Sequence, residues 1–292
     1  MCILLWVSCS GLNNATMAVQ GRVLNTYFTE EIPFYYLGKH MFIDATINGK
    51  SYTFLMDTGW DITHIDKSLI KELNFIPRKR IKGSNKVFGV EKFQYGTMQR
   101  ALMIGDIAFQ NMAVGIQDMS FLKPLESRFS DQRKLYGVIG ANVLRKAGYW
   151  QIDYRESKIR FSDQSASFLP VPDALKIDMI PGSTGVNRIE VKINGVSEHY
   201  VFDTGSFGSF SANPSYLERI QKTDQPLVEI SHDDGPERRK YQIDTAMVAS
   251  IQFPNQQLLI EEGISSLIGN DFLDDFMVTV DWMEDILYLQ PN

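Results

Sequence analysis

Between residues 42 and 59 the chain reads FIDATINGKSYTFLMDTG, and between 188 and 205 it reads RIEVKINGVSEHYVFDTG. In both stretches apolar and polar residues alternate around an Asn-Gly pair, Asn48-Gly49 or Asn194-Gly195, and an apolar run then ends on an acid, Asp57 or Asp203. Alternation marks a half-buried strand, and Asn-Gly between two such runs marks a two-residue hairpin turn. Each stretch therefore predicts a β-hairpin whose second strand delivers the acid. An ionised carboxylate at the end of so apolar a strand is costly unless it is paired or hydrogen-bonded.

The correspondence extends beyond the hairpins. GDIAFQNMAVGI (residues 105 to 116) aligns with ASIQFPNQQLLI (249 to 260), each reading as strand, tight turn, strand, with Asn111 matching Asn255. GVIGANVL (137 to 144) aligns with SLIGNDFL (266 to 273), placing Ile139-Gly140 opposite Ile268-Gly269. WQIDYRESKIRF and VTVDWMEDILYL then read as closing hairpins with Asp153 and Asp281 in equivalent places. Three correspondences in the same order imply duplication of a whole domain. Helix is expected only in short pieces, about two turns at 67 to 75 and at 213 to 221, and one short helix in ANVLRKAG and one in NDFLDDF. The Ser-, Pro- and Gly-rich stretch from 162 to 185 reads as an interdomain linker. This predicts a leader and tether over residues 1–20, an N-terminal lobe over 21–168 and a C-terminal lobe over 169–292. Residues 10 to 37 precede the first hairpin, and their TYFTEEIPFYYLG reads as an extended segment able to pack across a lobe.

Composition narrows the field. With 292 residues, 44% hydrophobic and 22% charged, the chain has material for a large core or two medium ones. A net charge of -6 gives no electrostatic footprint for nucleic acid, and the densest basic run, RKRIK at 78 to 82, reads as a solvated face. The two cysteines, Cys2 and Cys9, both fall in the first nine residues, which excludes a disulfide framework and a thiol nucleophile from the body of the protein. MCILLWVSCSGLNNA resembles the end of a bacterial lipoprotein leader, with Cys9 as the lipidated residue and a cell-envelope location as the consequence. No later stretch supplies the ~20 consecutive apolar residues of a membrane span.

An apolar strand ending in Asp-Thr-Gly, followed by a later apolar-apolar-Gly, twice in one chain, resembles the aspartic proteases of the retropepsin and pepsin group, from about residue 38 to the end. The resemblance implies an all-β, two-lobed acid-protease fold, a pseudo-twofold duplication with a cleft between lobes. It implies an aspartic-type endopeptidase acting on a peptide or protein substrate as a monomer. Asp57 and Asp203 would be the catalytic pair, supported by Thr58, Gly59, Thr204 and Gly205, with Ile139-Gly140 and Ile268-Gly269 packed beneath. Two carboxylates at close range cannot both ionise cheaply and share one proton, the aspartic proteases being the standard case of such a coupled pair. One then serves as base and the other as acid, and no metal or cofactor is required.

Four cleft positions depart from an even two-fold. Trp60 follows Gly59 where the family usually has a small residue, whereas Ser206 follows Gly205; Asp61 matches the acid of the retroviral enzymes, whereas Phe207 stands at the equivalent place in the second lobe. An indole at residue 60 either fills a substrate subsite or stops the first lobe from binding peptide in the usual way. The second possibility keeps a different function in play, a catalytically silent peptide-binding protein with this fold, and a purely structural envelope lipoprotein is a third reading. Lacking a hydroxyl residue after the first DTG, the pair is expected to have a milder pH optimum than strongly acid proteases. Flap hairpins are expected at residues 81 to 93 and 230 to 242, with only the first reaching over the cleft. His40, His64, His199 and His232 are scattered without ligand spacing, so no zinc site is indicated, and no Gly-x-Ser-x-Gly elbow or phosphate loop occurs. His64 lies near enough to the first DTG to tune it, although an ordinary buried histidine is the commoner case.

Overall fold

A computed structural model describes residues 14–81, 93–168, 173–232 and 238–292. The leader reading, with Cys9, and the tips of both expected flaps lie outside these residues. The fold is all-β and acid-protease-like.

Both Asn-Gly hairpins form as expected. His40–Ile47 pairs with Lys50–Met56, and Arg188–Ile193 pairs with Val196–Phe202, each across a two-residue turn. The turn residues adopt the left-handed conformation, with φ of 51° and 76° at Asn48 and Gly49 and 48° and 81° at Asn194 and Gly195. Positive φ at both central positions gives the turn the twist of the flanking strands, which is why Asn-Gly is favoured there.

Around each hairpin the strands follow one order. In the first half it runs His40–Ile47, Lys50–Met56, Leu135–Ile139, His64–Asp66, Ala113–Gln117, Phe93–Met98, Phe75–Ile81. In the second half it runs Arg188–Ile193, Val196–Phe202, Leu267–Ile268, Phe210–Ala212, Ile251–Glu261, Arg238–Val248, Val228–His232. In each, the strand ending in Ile-Gly lies parallel beside the strand that ends at the acid. Phe75–Ile81 with Phe93–Met98, and Val228–His232 with Arg238–Val248, form the arms of the two hairpins expected to carry flaps.

A third sheet joins the halves. Its six strands run Leu175–Asp178, Ile286–Pro291, Phe276–Asp281, Tyr149–Asp153, Lys158–Ser162, Thr29–Pro33. At its centre Trp150 pairs with Val280 and Ile152 with Val278. Since Asp153 and Asp281 are equivalent at an offset of 128, Trp150 and Ile152 correspond to 278 and 280, and this register is what a two-fold axis through the middle of the sheet requires. The core is continuous across this seam, where Trp150 is fully buried against Phe202 and Trp282 at ring separations of 6.0 and 5.7 Å. The segment ahead of the first hairpin is laid across the molecule as expected, Thr29–Pro33 extending this sheet and Tyr35–Leu37 pairing with His40–Ile47.

Three local expectations differ from the structure. The stretch from 162 to 185 is not merely a connection, because Leu175–Asp178 forms an edge strand on Ile286–Pro291, whose unpaired backbone groups offer the hydrogen bonds. Residues 67 to 75 give one 3-10 turn, Lys67–Leu69, capped by Asp66, because Asn74 turns left-handed (φ 47°) and starts the next strand at once. Its counterpart is a true helix, Pro214–Ile220, capped by the Asn213 side chain at the Tyr216 amide. Asn111 and Asn255 share a φ of 56°, but only the first ends a strand, since the long partner Arg238–Val248 keeps Ile251–Glu261 paired on both sides of Asn255.

Candidate active site

The two acid-bearing strands end at the same point in space. Asp57 and Asp203 are both buried, 9% and 8% exposed, and their carboxyls hydrogen-bond to one another. The strand below fixes each backbone: the Asp57 amide donates to the Ile139 carbonyl and the Asp203 amide to that of Ile268, both at 3.0 Å. The short helices after these strands clasp the loops. Ala141 N–H donates to the Trp60 carbonyl at 2.8 Å and Asn142 N–H to that of Asp61 at 3.1 Å, while Asn270 and Asp271 do the same for Ser206 and Phe207 at 2.9 and 3.2 Å. Glycine at 140 and 269 permits this approach, because a Cβ would lie 2.5 Å from the carbonyl oxygen of Trp60 or of Gly208.

The threonines lock the loops together across the molecular two-fold. Thr58 Oγ1 donates to the Phe202 carbonyl at 2.7 Å and accepts from the Thr204 amide at 3.0 Å. Thr204 Oγ1 donates to the Met56 carbonyl and accepts from the Thr58 amide, both at 3.2 Å. The glycines bring each loop against the other lobe's acid: a Cβ at Gly59 would lie 2.6 Å from Asp203 Cγ, and one at Gly205 would lie 2.3 Å from Asp57 Cγ. Neither position permits a larger residue without displacing a carboxyl.

The environments of the two acids are unequal. Burial, the Asp203 charge and the hydrogen bond to Asp203 hold the Asp57 carboxyl well above the usual carboxylate range, against the Trp60 and Gly59 amides that favour ionisation. Burial also raises Asp203, but the hydrogen bond from Asp57 and the amides of Gly205, Ser206 and Gly59 favour its charge. A carboxylate that accepts more N–H donors is the easier one to ionise. Both carboxyls are thus held above the usual carboxylate range, Asp57 the further, and titrate as one coupled pair that shares a proton.

The remaining sequence-predicted residues lie around this pair. Trp60 N–H donates to Asp57 Oδ1 at 2.9 Å, and its half-buried indole packs against the first half, parallel to Phe121 at 6.4 Å and edge-on to His64 at 5.3 Å. Asp61 accepts from the Ile62 amide at 2.8 Å. Ser206 N–H donates to the Asp203 carbonyl, and Phe207 is 42% exposed with its ring 6.1 Å from that of His40. The turn aspartates stay in their hairpins: Asp153 accepts from the Glu156 amide and Asp281 from those of Met283 and Glu284.

The asparagines after the two Ile-Gly pairs are not among the expected site residues, yet both hold the loops. Asn142 Oδ1 accepts from the Thr63 amide and hydroxyl, and Asn142 Nδ2 donates to the Ala113 carbonyl, tying the strand after the first DTG to its neighbours. Asn270 reaches across the molecule, donating to the carbonyls of Lys39 and Thr204 and accepting from Tyr154. Beside it Lys39 bridges Asp271 and Asp274 at 3.2 and 2.6 Å. The signal was present, since Asn follows Ile-Gly by one or two residues in both copies.

Among the described residues no cluster of three or more His, Cys, Asp or Glu could hold a metal ion, and no helix is long and apolar enough to cross a membrane. Around the paired acids the fold is all-β and acid-protease-like. A family model described as aspartyl protease matches residues 43–143, from the first hairpin through the first Ile-Gly pair and the start of the helix after it. This match supports an aspartyl protease family and a protease function in general. No curated protein gives a significant match.

Proposed function

We propose that the protein is an aspartic-type endopeptidase that hydrolyses peptide bonds with a water activated between Asp57 and Asp203. The observation that carries this reading is the mutual hydrogen bond of two buried carboxyls, held by threonines that exchange four hydrogen bonds across the two-fold. In this reading Asp203 is the ionised partner and takes a proton from the water as the water oxygen adds to the substrate carbonyl carbon. Asp57 gives its proton to the carbonyl oxygen, so a neutral tetrahedral diol forms without a free oxyanion. On collapse Asp203 returns its proton to the leaving nitrogen, the C–N bond breaks, and a diol hydroxyl returns a proton to Asp57. The pair ends as it began.

A catalytically silent binding protein would need the Trp60 indole to obstruct the pair. That ring is instead taken up by Phe121 and His64 of its own half, while its amide supports Asp57. The test is hydrolysis of a mixed peptide library from about pH 3 to 8 by the wild type, Asp57→Asn and Asp203→Asn at equal folded concentration. Cleavage by the wild type and loss of at least about a thousandfold in both variants is the expected result. A folded wild type that cuts nothing at any pH, or a single variant that retains activity, would overturn the reading.

A further inference from the structure

His64 is buried, 4% exposed, and neither ring nitrogen has a hydrogen-bond partner among the described residues. Three aromatic rings enclose it: Trp60 at 5.3 Å, Phe93 at 5.1 Å and Tyr95 at 5.6 Å between centroids. The fourth wall is Gly115, where a Cβ would lie 2.4 Å from the imidazole Cδ2 and Nε2. A leucine or phenylalanine would fill an apolar box of this kind without the cost of desolvating two unpaired nitrogens. The imidazole sits one ring away from the Asp57 loop, because the residue it packs against, Trp60, donates its amide to Asp57 Oδ1.

We propose that His64 is a positioning residue that holds Trp60, and through it the Asp57 loop, and that acid disengages it. Neutral imidazole is the form the box accepts. A second ring proton would create a cation with two N–H donors and the Gln117 amide as one acceptor, so the other N–H must reach water, and the walls that can give way are the side chains of Trp60, Phe93 and Tyr95.

The groups that face the ring from each packed element allow this reading. The Ala113–Gln117 strand presents Gly115 and the neutral amide of Gln117, which favours the charged form without completing a hydrogen bond and itself donates to Met119 Sδ at 3.4 Å. The Phe93–Met98 strand presents Phe93 and the Tyr95 phenol, which burial and the nearby Asp61 charge keep protonated. The Leu135–Ile139 strand pairs the apolar Val138 opposite His64 and brings no titratable group there. From the Asp57 loop come Trp60 and, acting on Tyr95, Asp61. Burial outweighs the amide and lowers the His64 pKa to about 4.

The activity half of this proposal rests on the endopeptidase reading, while the movement of Trp60 does not. The experiment records tryptophan fluorescence and kcat/KM together from about pH 2.5 to 7 for the wild type and His64→Phe, with Trp60→Phe identifying the emission of that indole. The expected result is a wild-type emission change centred near pH 4 that vanishes in both variants. The acid limb of kcat/KM should lose steepness in His64→Phe, leaving only the protonation of the carboxyl pair. If the phenylalanine variant does not fold, His64→Gln, neutral at every pH, serves in its place. A transition that persists unchanged in the His64 variant, or is absent from Trp60 emission in the wild type, overturns the proposal. A wild type that shows the transition but hydrolyses nothing overturns the endopeptidase reading alone.

Discussion

Replacing Thr58 by valine tests the threonine lock directly. Valine nearly reproduces the shape of threonine, so the main loss is the hydroxyl, which donates to the Phe202 carbonyl at 2.7 Å and accepts from the Thr204 amide at 3.0 Å. Thr58 is 1% exposed, so water does not replace those partners. Each buried group left unsatisfied costs about 1 to 3 kcal/mol, and two of them predict a loss of about 2 to 6 kcal/mol in unfolding free energy. Thr58→Ser keeps the hydroxyl and drops one methyl, for which the expected loss is about 1 kcal/mol. Thr204→Val removes a separate pair of bonds, to the Met56 carbonyl and from the Thr58 amide. Both pairs hold the same two loops together, so once one is broken the other has less left to hold in place, and the double variant should lose less than the sum of the singles. Urea denaturation of the three single variants and the double, with constant m-values, measures these differences. A Thr58→Val variant as stable as the wild type, or a serine variant as damaged as the valine one, would show that the hydroxyl bonds do not hold the loops.

Two further outcomes follow from the site. The Asp57 carboxyl has a pKa raised in the folded state, so it destabilises the fold increasingly as the pH rises above the unfolded value of about 4; Asp57→Asn should therefore gain stability over the wild type at pH 8 and lose that advantage near pH 3, and a pH-independent difference in denaturation midpoint would contradict it. Gly205→Ala places a Cβ 2.3 Å from Asp57 Cγ and should lower kcat by about a hundredfold or more, whereas Gly195→Ala, in open space but at φ 81°, should cost about 1 kcal/mol of stability and leave kcat in place; equal activity in the two variants would show that the Asp57 approach is not what requires the glycine.

What could be read along the chain was whatever neighbouring residues decide among themselves. Asn48-Gly49 and Asn194-Gly195 signalled left-handed turns because positive φ is a property of the residue and its immediate neighbours. The alternating strands around them, the capped helix at Pro214–Ile220 and the short helices after Ile-Gly were legible for the same reason. The helix expected at 67 to 75 failed because the weak local preference yielded to the left-handed Asn74 and the strand that begins beside it.

The remainder needed the folded chain. Sequence set Asp57 and Asp203 in matching contexts 146 residues apart, but that they share a hydrogen bond depends on the halves meeting across the central sheet. The strand at Leu175–Asp178 exists because an edge elsewhere offers partners. The direction of the Trp60 indole, the reach of Asn270 across the molecule and the isolation of the His64 nitrogens have no local signature. A turn or a strand is selected by dihedral preference and by which face is apolar, both properties of a few consecutive residues. Which side chains meet across the two-fold, and that two carboxyls come to share a proton, is decided by packing and burial, and those are set only when distant segments close on one another.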